Sequence, residues 1–211
     1  MFRSILNTVS ESIFSRESAP ESLPIFPLGS VLFPGGTLAL RIFERRYMDM
    51  ATACLKNGTP FGIALIHSGS EVGAPAEPEM VGTVAQIVDW DMQELGILQA
   101  RVRGEHRFRI ISKMATGAGL IIGETTPIPD DTHIDCPEFV PCVEFLKKVL
   151  SNTGAASISA TRFDDAAWVS FRITEFLPLN NTVKQKMLEL TDARMRLEIL
   201  HRFLDDRSLI A

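Results

Sequence analysis

The chain has 211 residues, enough for one large or two small domains with a sizeable core, which excludes a stapled mini-protein. Lys and Arg total 21 against 26 Asp and Glu, and the net charge of −5 argues against a broad, sequence-independent grip on nucleic acid or anionic lipid. Hydrophobic residues at 45% and charged residues at 22% make an ordinary globular balance, while three cysteines, Cys54, Cys136 and Cys142, are too few and odd in number for a disulfide scaffold, so a reducing, cytoplasmic setting is expected.

Charged, Gly or Pro residues interrupt every apolar run, so no membrane span is expected, and residues 1–14 are too broken by Asn7, Thr8 and Ser10 to act as a secretory signal. Within an N-terminal extension, residues 1–22, Phe2, Ile5, Leu6, Val9 and Ile13 fall at helical spacing. This short amphipathic helix is either a docked terminus or a surface for a membrane or partner. Residues 23–130 then carry short apolar runs punctuated by Gly and Pro, at 24–28, 31–33, 37–42, 61–66, 81–90, 95–102, 107–112 and 120–125. Such spacing predicts a closed or rolled β domain. One helix interrupts it: Tyr47, Met50, Ala51, Cys54 and Leu55 share a face, Glu44 favours its positive end, and Asn57-Gly58 is the stop signal. Residues 68–79, rich in Gly, Pro, Ala and Glu, predict an exposed loop.

Beyond Pro127-Ile128-Pro129-Asp130-Asp131 the apolar period becomes 3.6, which predicts a helical bundle over residues 131–211 and an α+β chain as a whole. Phe139, Val143, Leu146 and Leu150 form the first stripe, and Ala166, Val169, Ile173 and Phe176 the second, with 151–161 as the loop between them. Asn180 and Asn181 are placed to cap a third helix, with Thr182 and Gln185 in capping-box spacing, and Thr191 to start a fourth carrying Ala193, Leu197, Leu200 and Leu204.

Catalytic signatures are missing. Lys56, Lys113, Lys147, Lys148, Lys184 and Lys186 all lack the preceding glycine of a phosphate-binding loop, and Gly29-Ser30 and Ser68-Gly69-Ser70 read as turns rather than as a nucleophile elbow. His133, Cys136 and Cys142 match no tetrahedral spacing, so no metal or cofactor is expected. His67, His106 and His201 have no placed partner for general-base work, and Asp130-Asp131, Asp164-Asp165 and Asp205-Asp206 fall at element ends. Arg101, Arg103, Arg107 and Arg109 occupy odd positions around Gly104-Glu105, as if a hairpin presented them on one face with Val102, Phe108 and Ile110 inward. That face is either a small anion or RNA site, or a solvated surface paired with Asp91, Glu94 or Glu105; with no aromatic stacking partners there, nucleic acid is disfavoured.

The densest signal is at the front, where Pro24, Pro27 and Pro34 confine runs to strand ends and edges and Gly35-Gly36 permits a sharp turn. Pro24-Ile25-Phe26-Pro27-Leu28, Val31-Leu32-Phe33-Pro34-Gly35 and Ile42-Phe43-Glu44-Arg45-Arg46-Tyr47, followed by Val81-Gly82-Thr83-Val84-Ala85-Gln86-Ile87 and Gly104-Glu105-His106-Arg107-Phe108-Arg109-Ile110, resemble the substrate-binding N-terminal domain of Lon proteases. The likeness runs over about residues 23–207, more weakly in the second half through Trp168, Leu177-Pro178-Leu179 and Lys186-Met187-Leu188-Glu189. It implies a PUA-like β-barrel (pseudobarrel) with a helical bundle behind it. It also implies binding of unfolded or degradation-bound polypeptide, with a Lon-type protease as a further partner. No ATPase or peptidase module follows Ala211, so a free-standing, non-enzymatic recognition module is expected, with a PUA-like RNA or small-ligand binder as the alternative. Phe33, Arg45, Tyr47 and Met48, which flank the Pro-Gly turn, are the expected polypeptide contacts; the four arginines are the alternative anion site.

Overall fold

A computed structural model describes residues 20–129, 137–153 and 161–210. The expected N-terminal helix, Asp130-Asp131, His133 and Cys136, and most of the expected loop before the second bundle helix lie outside the described residues. The elements are β1 (Glu21–Leu28), β2 (Thr37–Ile42), α1 (Arg45–Asn57), β3 (Phe61–Ser68), β4 (Glu77–Glu94), β5 (Ile97–Ala115) and β6 (Ile121–Pro127). A 3-10 turn (Pro137–Phe139) then leads to α2 (Val140–Thr153), α3 (Ala166–Phe176), α4 (Asn181–Glu189) and α5 (Ala193–Asp205).

The fold is mixed α+β, with one six-stranded sheet in the order β2-β5-β4-β3-β1-β6. Only β1 and β3 pair in parallel, because the chain passes through β2 and α1 between them. Strand β6 pairs with both β1 and β5, so β1, β3, β4, β5 and β6 form a ring of hydrogen-bonded neighbours. Strand β2 stands outside that ring and pairs with β5 alone.

Two departures from the sequence pattern have physical causes. The apolar run at 31–33 is not a strand; Leu32 and Phe33 are buried loop residues, and Thr83 Oγ1 donates to the Leu32 carbonyl at 2.6 Å. The runs at 95–102 and 107–112 are one strand, β5, since the reversal falls at Leu95-Gly96, where Gly96 takes φ 82°, rather than at Gly104-Glu105.

Burial on both sides of the sheet follows from its strands. One face of β1, β3 and β4 contributes Phe26, Phe61, Ile63 and Ala85, against which α1 packs Tyr47, Met50, Ala51 and Cys54. The opposite face contributes Ile25, Ala64 and Val84, which meet Phe108, Ile110 and Ile121 inside the ring. Helix α1 ends as expected, with Gly58 at φ 67° donating its N–H to the Cys54 carbonyl.

The C-terminal helices bury Leu146, Trp168, Val169, Ile173, Leu197 and Leu204 together. Asp165, Asn180 and Asp192 cap α3, α4 and α5 with side-chain oxygens. Asp192, not Thr191, thus starts the last helix, and Asn181 is left to reach the Gly29 carbonyl across the molecule. Gln185 makes no capping box; its amide donates instead to the Val81 carbonyl of β4 at 3.0 Å and to Glu189 at 3.1 Å. A small shared core of Phe33, Val81, Ile128, Phe171 and Leu188 fills the seam between sheet and helices.

Candidate functional site

Strand β2 owes its position to two glycine contacts at its start. Gly104 of β5 donates to the Gly36 carbonyl at 2.9 Å and accepts from the Gly35 N–H at 2.8 Å. Antiparallel ladders alternate bonded and non-bonded residues, so this pairing puts Leu38, Leu40 and Ile42 in register to bond β5. The backbone groups of Thr37, Ala39 and Arg41 point the other way. Among the described residues no strand pairs with that outer side.

A cleft of about 280 Å³ opens on the α1 side of β2, lined by Leu38, Leu40, Phe43, Tyr47 and Val72 among others. Phe43 and Val72 are half-exposed, at 50% and 56%, and both line this one groove. Glu71 and Val72 supply one wall, and the segment that carries them is held by Glu71, which accepts from the Gly29 N–H, and by Glu44, which accepts from the Gly73 N–H at 3.4 Å. Glu44 occupies the cap position of α1 without a side-chain cap bond, its carboxylate being paired with Arg46 at 3.0 Å. A second cleft, of about 390 Å³, lies on the opposite face of β2, lined by Ala39, Arg41, Asp89, Trp90, Asp91, Gln99 and Arg101 among others.

The expected polypeptide contacts are not equivalent. Phe33 is 1% exposed and its ring packs on Phe171 at 5.6 Å, so it is a core residue unable to touch a ligand. Tyr47 is 3% exposed, stacked on Phe26 at 4.1 Å with the Arg46 guanidinium over its other side; it forms cleft wall rather than cleft surface. Burial pushes its phenol above the usual tyrosine range. Arg45 is exposed and pairs with Asp49 at 3.8 Å, and Met48 is half-buried against the α1 core.

The four arginines do not form one patch. Pairing shifts from Ala85↔Gly104 to Thr83↔Arg107, so β5 holds an extra residue around Glu105-His106. A bulge of this kind reverses the alternation beyond it. Arg101 and Arg103 therefore lie on one face, and Arg107 and Arg109 on the other. Arg101 is paired with Asp89 at 3.3 Å. Arg107 is 2% exposed beneath the helices, where it donates to the carbonyls of Leu188 (3.1 Å), Leu190 (2.8 Å) and Pro129 (3.4 Å). The same bulge sends Val102 to the α1 core and Phe108 and Ile110 to the ring interior, rather than to a common side.

Among the described residues no group of His, Cys, Asp and Glu side chains is placed to hold a metal, and no helix is long and apolar enough to cross a membrane. Cys54 and Cys142 are buried. The features missed from sequence are Phe43 and Val72, each masked by neighbours that read as helix start and loop.

The architecture is that of Lon N-terminal domains. It is similar to the crystal structure of a Lon N-terminal domain protein from Xanthomonas campestris, at TM-score 0.71 and 37% identity, over 86% of this chain and 98% of that one. The N-terminal domain of Mycobacterium avium complex Lon protease shares the fold at TM-score 0.64 and 20% identity, over 88% of this chain and 99% of that one. No curated protein matches the chain. The family model of the ATP-dependent protease La (LON) substrate-binding domain matches residues 22–206, and the chain belongs to that family. It is a substrate-binding domain by descent, a class whose work is binding rather than catalysis.

Proposed function

We propose that this protein is a non-enzymatic recognition module that binds unfolded or extended polypeptide destined for degradation, acting in the cytoplasm without a cofactor. The observation that carries this reading is the cleft beside β2, where Phe43 and Val72 stand half-exposed in a chain of the Lon substrate-binding family. Apolar side chains of an unfolded client would gain there the burial that they lack in water. Arg45 and Met48, in the first turn of α1 next to Glu44 and Tyr47 of the cleft wall, are proposed to border the bound chain. A Lon-type protease is the proposed recipient of what is bound.

The working anatomy behind this proposal is a PUA-like pseudobarrel over residues 23–130, a helical bundle over 131–211 and an extension over 1–22. The closed ring of strand pairings and the separate apolar core of the C-terminal helices support it. The test is fluorescence anisotropy of a labelled, permanently unfolded protein titrated with this chain. Saturable binding that weakens in Phe43→Ala is expected; no binding at high micromolar concentration overturns the proposal.

A further inference from the structure

We infer that the client is held as an added β-strand on the outer edge of β2, with its side chains entering the two clefts alternately; this rests on the polypeptide-binding reading above. The edge belongs to the terminal strand of the sheet order, and among the described residues it has no strand partner. Its outward groups, on Thr37, Ala39 and Arg41, are N–H donors and C=O acceptors at the spacing of an extended chain. Unpaired edges of this kind are templates for strand addition, and natural proteins blunt them with proline, charge or a cover. Here the six residues Thr-Leu-Ala-Leu-Arg-Ile hold one charge and no proline.

What identifies the occupant is the arrangement of the clefts. Both are lined by Ala39, Leu40 and Arg41, one on each face of the same strand. An incoming strand projects successive side chains to opposite faces. Residues of one parity would meet Leu38, Phe43 and Val72, which favour apolar groups. Those of the other parity would lie over Ala39 and Arg41, the latter paired with Glu94 at 3.1 Å, a rim that favours polar or charged groups. An unfolded segment of about six residues with alternate apolar side chains offers both a free backbone edge and this alternation.

Three reagents test this. The first is a fluorescein-labelled ten-residue peptide alternating leucine with serine or lysine, and the second is its analogue N-methylated at alternate residues to remove the donors on one edge. The third is Ala39→Pro, which deletes an outward N–H. Ala39→Pro and the methylated peptide should each lose about tenfold or more in affinity, the worth of one or two backbone bonds, relative to the unaltered protein with the unmethylated peptide. Equal binding of methylated and unmethylated peptides overturns strand addition even if Ala39→Pro fails to fold. Retained binding of unfolded protein in that case leaves the polypeptide-binding reading standing; failure of every unfolded chain to bind the unaltered protein removes both. A dimer that dissociates on Ala39→Pro substitution would assign the edge to a second copy and also overturn the inference.

Discussion

Arg107, in the middle of β5, donates to the carbonyl of Leu190 at 2.8 Å, just past the end of α4, and so joins the sheet to the helices through a buried guanidinium. Its cation lies where the helix dipole leaves partial negative charge, and the Leu188 and Pro129 carbonyls complete the fork. Arg196 adds a second guanidinium at Leu190, and both arginines lie over the ring of Phe171, at 5.6 and 4.1 Å. Arg107→Met should therefore destabilise the chain by about 3 kcal/mol, since buried carbonyls lose a charged donor. Arg107→Lys should recover only part of this, because an ammonium lacks the planar fork. Denaturant midpoints decide the matter, and a change below about 0.5 kcal/mol for Arg107→Met would contradict the seam described.

Gly104 shows why the turn before β2 takes the form it does. A methyl group added there would fall against the Phe33 carbonyl and the Thr83 side chain, and the neighbouring backbone cannot yield without losing the Gly35 and Gly36 bonds. Gly104→Ala should cost about 2–3 kcal/mol through overpacking. Gly117, with nothing near its would-be Cβ, is the matching control, and Gly117→Ala should be neutral in the same thermal melt.

Much of this architecture is legible in the residues, because periodicity reports which face is apolar. The α1 stripe, its Gly58 stop and the second and fourth stripes of the C-terminal half all appear where the 3.6 period puts them. What periodicity cannot report is a change of phase within a strand. The odd-numbered arginines of β5 look coplanar, yet one extra residue at Glu105-His106 divides them between faces. Nor does it say what covers a face: Phe33 and Arg107 read as exposed because their burial comes from Phe171 and Leu188, far along the chain. The free edge of β2 was equally hidden, since edge status depends on pairings that only the whole sheet defines.

Tyr47 makes the burial of the cleft wall measurable through pH. Desolvation raises its folded-state pKa above the ordinary 10.0, opposed by Arg46 and reinforced by Glu44. The unfolded chain therefore releases this proton first. The contribution to stability is intact below pH 10 and falls as pH rises beyond it. Cys54, raised above 9.0 by burial, acts in the same direction from a lower pH. Lys184, lowered from 10.5, acts oppositely, so the comparison must isolate the phenol. Tyr47→Phe does this: it should match the parent melting temperature at pH 7 and exceed it by pH 10.5, whereas parallel alkaline limbs would mean that Tyr47 is solvated.

The two phenylalanines that bracket β2 give the sharpest separation of folding from binding. Phe33 is 1% exposed in the seam core, so Phe33→Ala should cost about 3–5 kcal/mol by cavity formation, with the affinity of the remaining folded fraction unchanged. Phe43 is 50% exposed at the mouth of the cleft, so truncating it removes about half the side-chain burial lost at Phe33 and leaves no enclosed cavity. Phe43→Ala should cost about 1–2 kcal/mol of stability, clearly less than Phe33→Ala. It should weaken peptide binding by about 1–2 kcal/mol, roughly five- to thirtyfold, if the ring is covered by the client. Melting temperature and anisotropy on both variants form a crossed comparison. Reversal of the pattern, with Phe33→Ala impairing affinity in a fully folded protein and Phe43→Ala leaving it intact, would move the binding surface from the β2 cleft to the seam between sheet and helices.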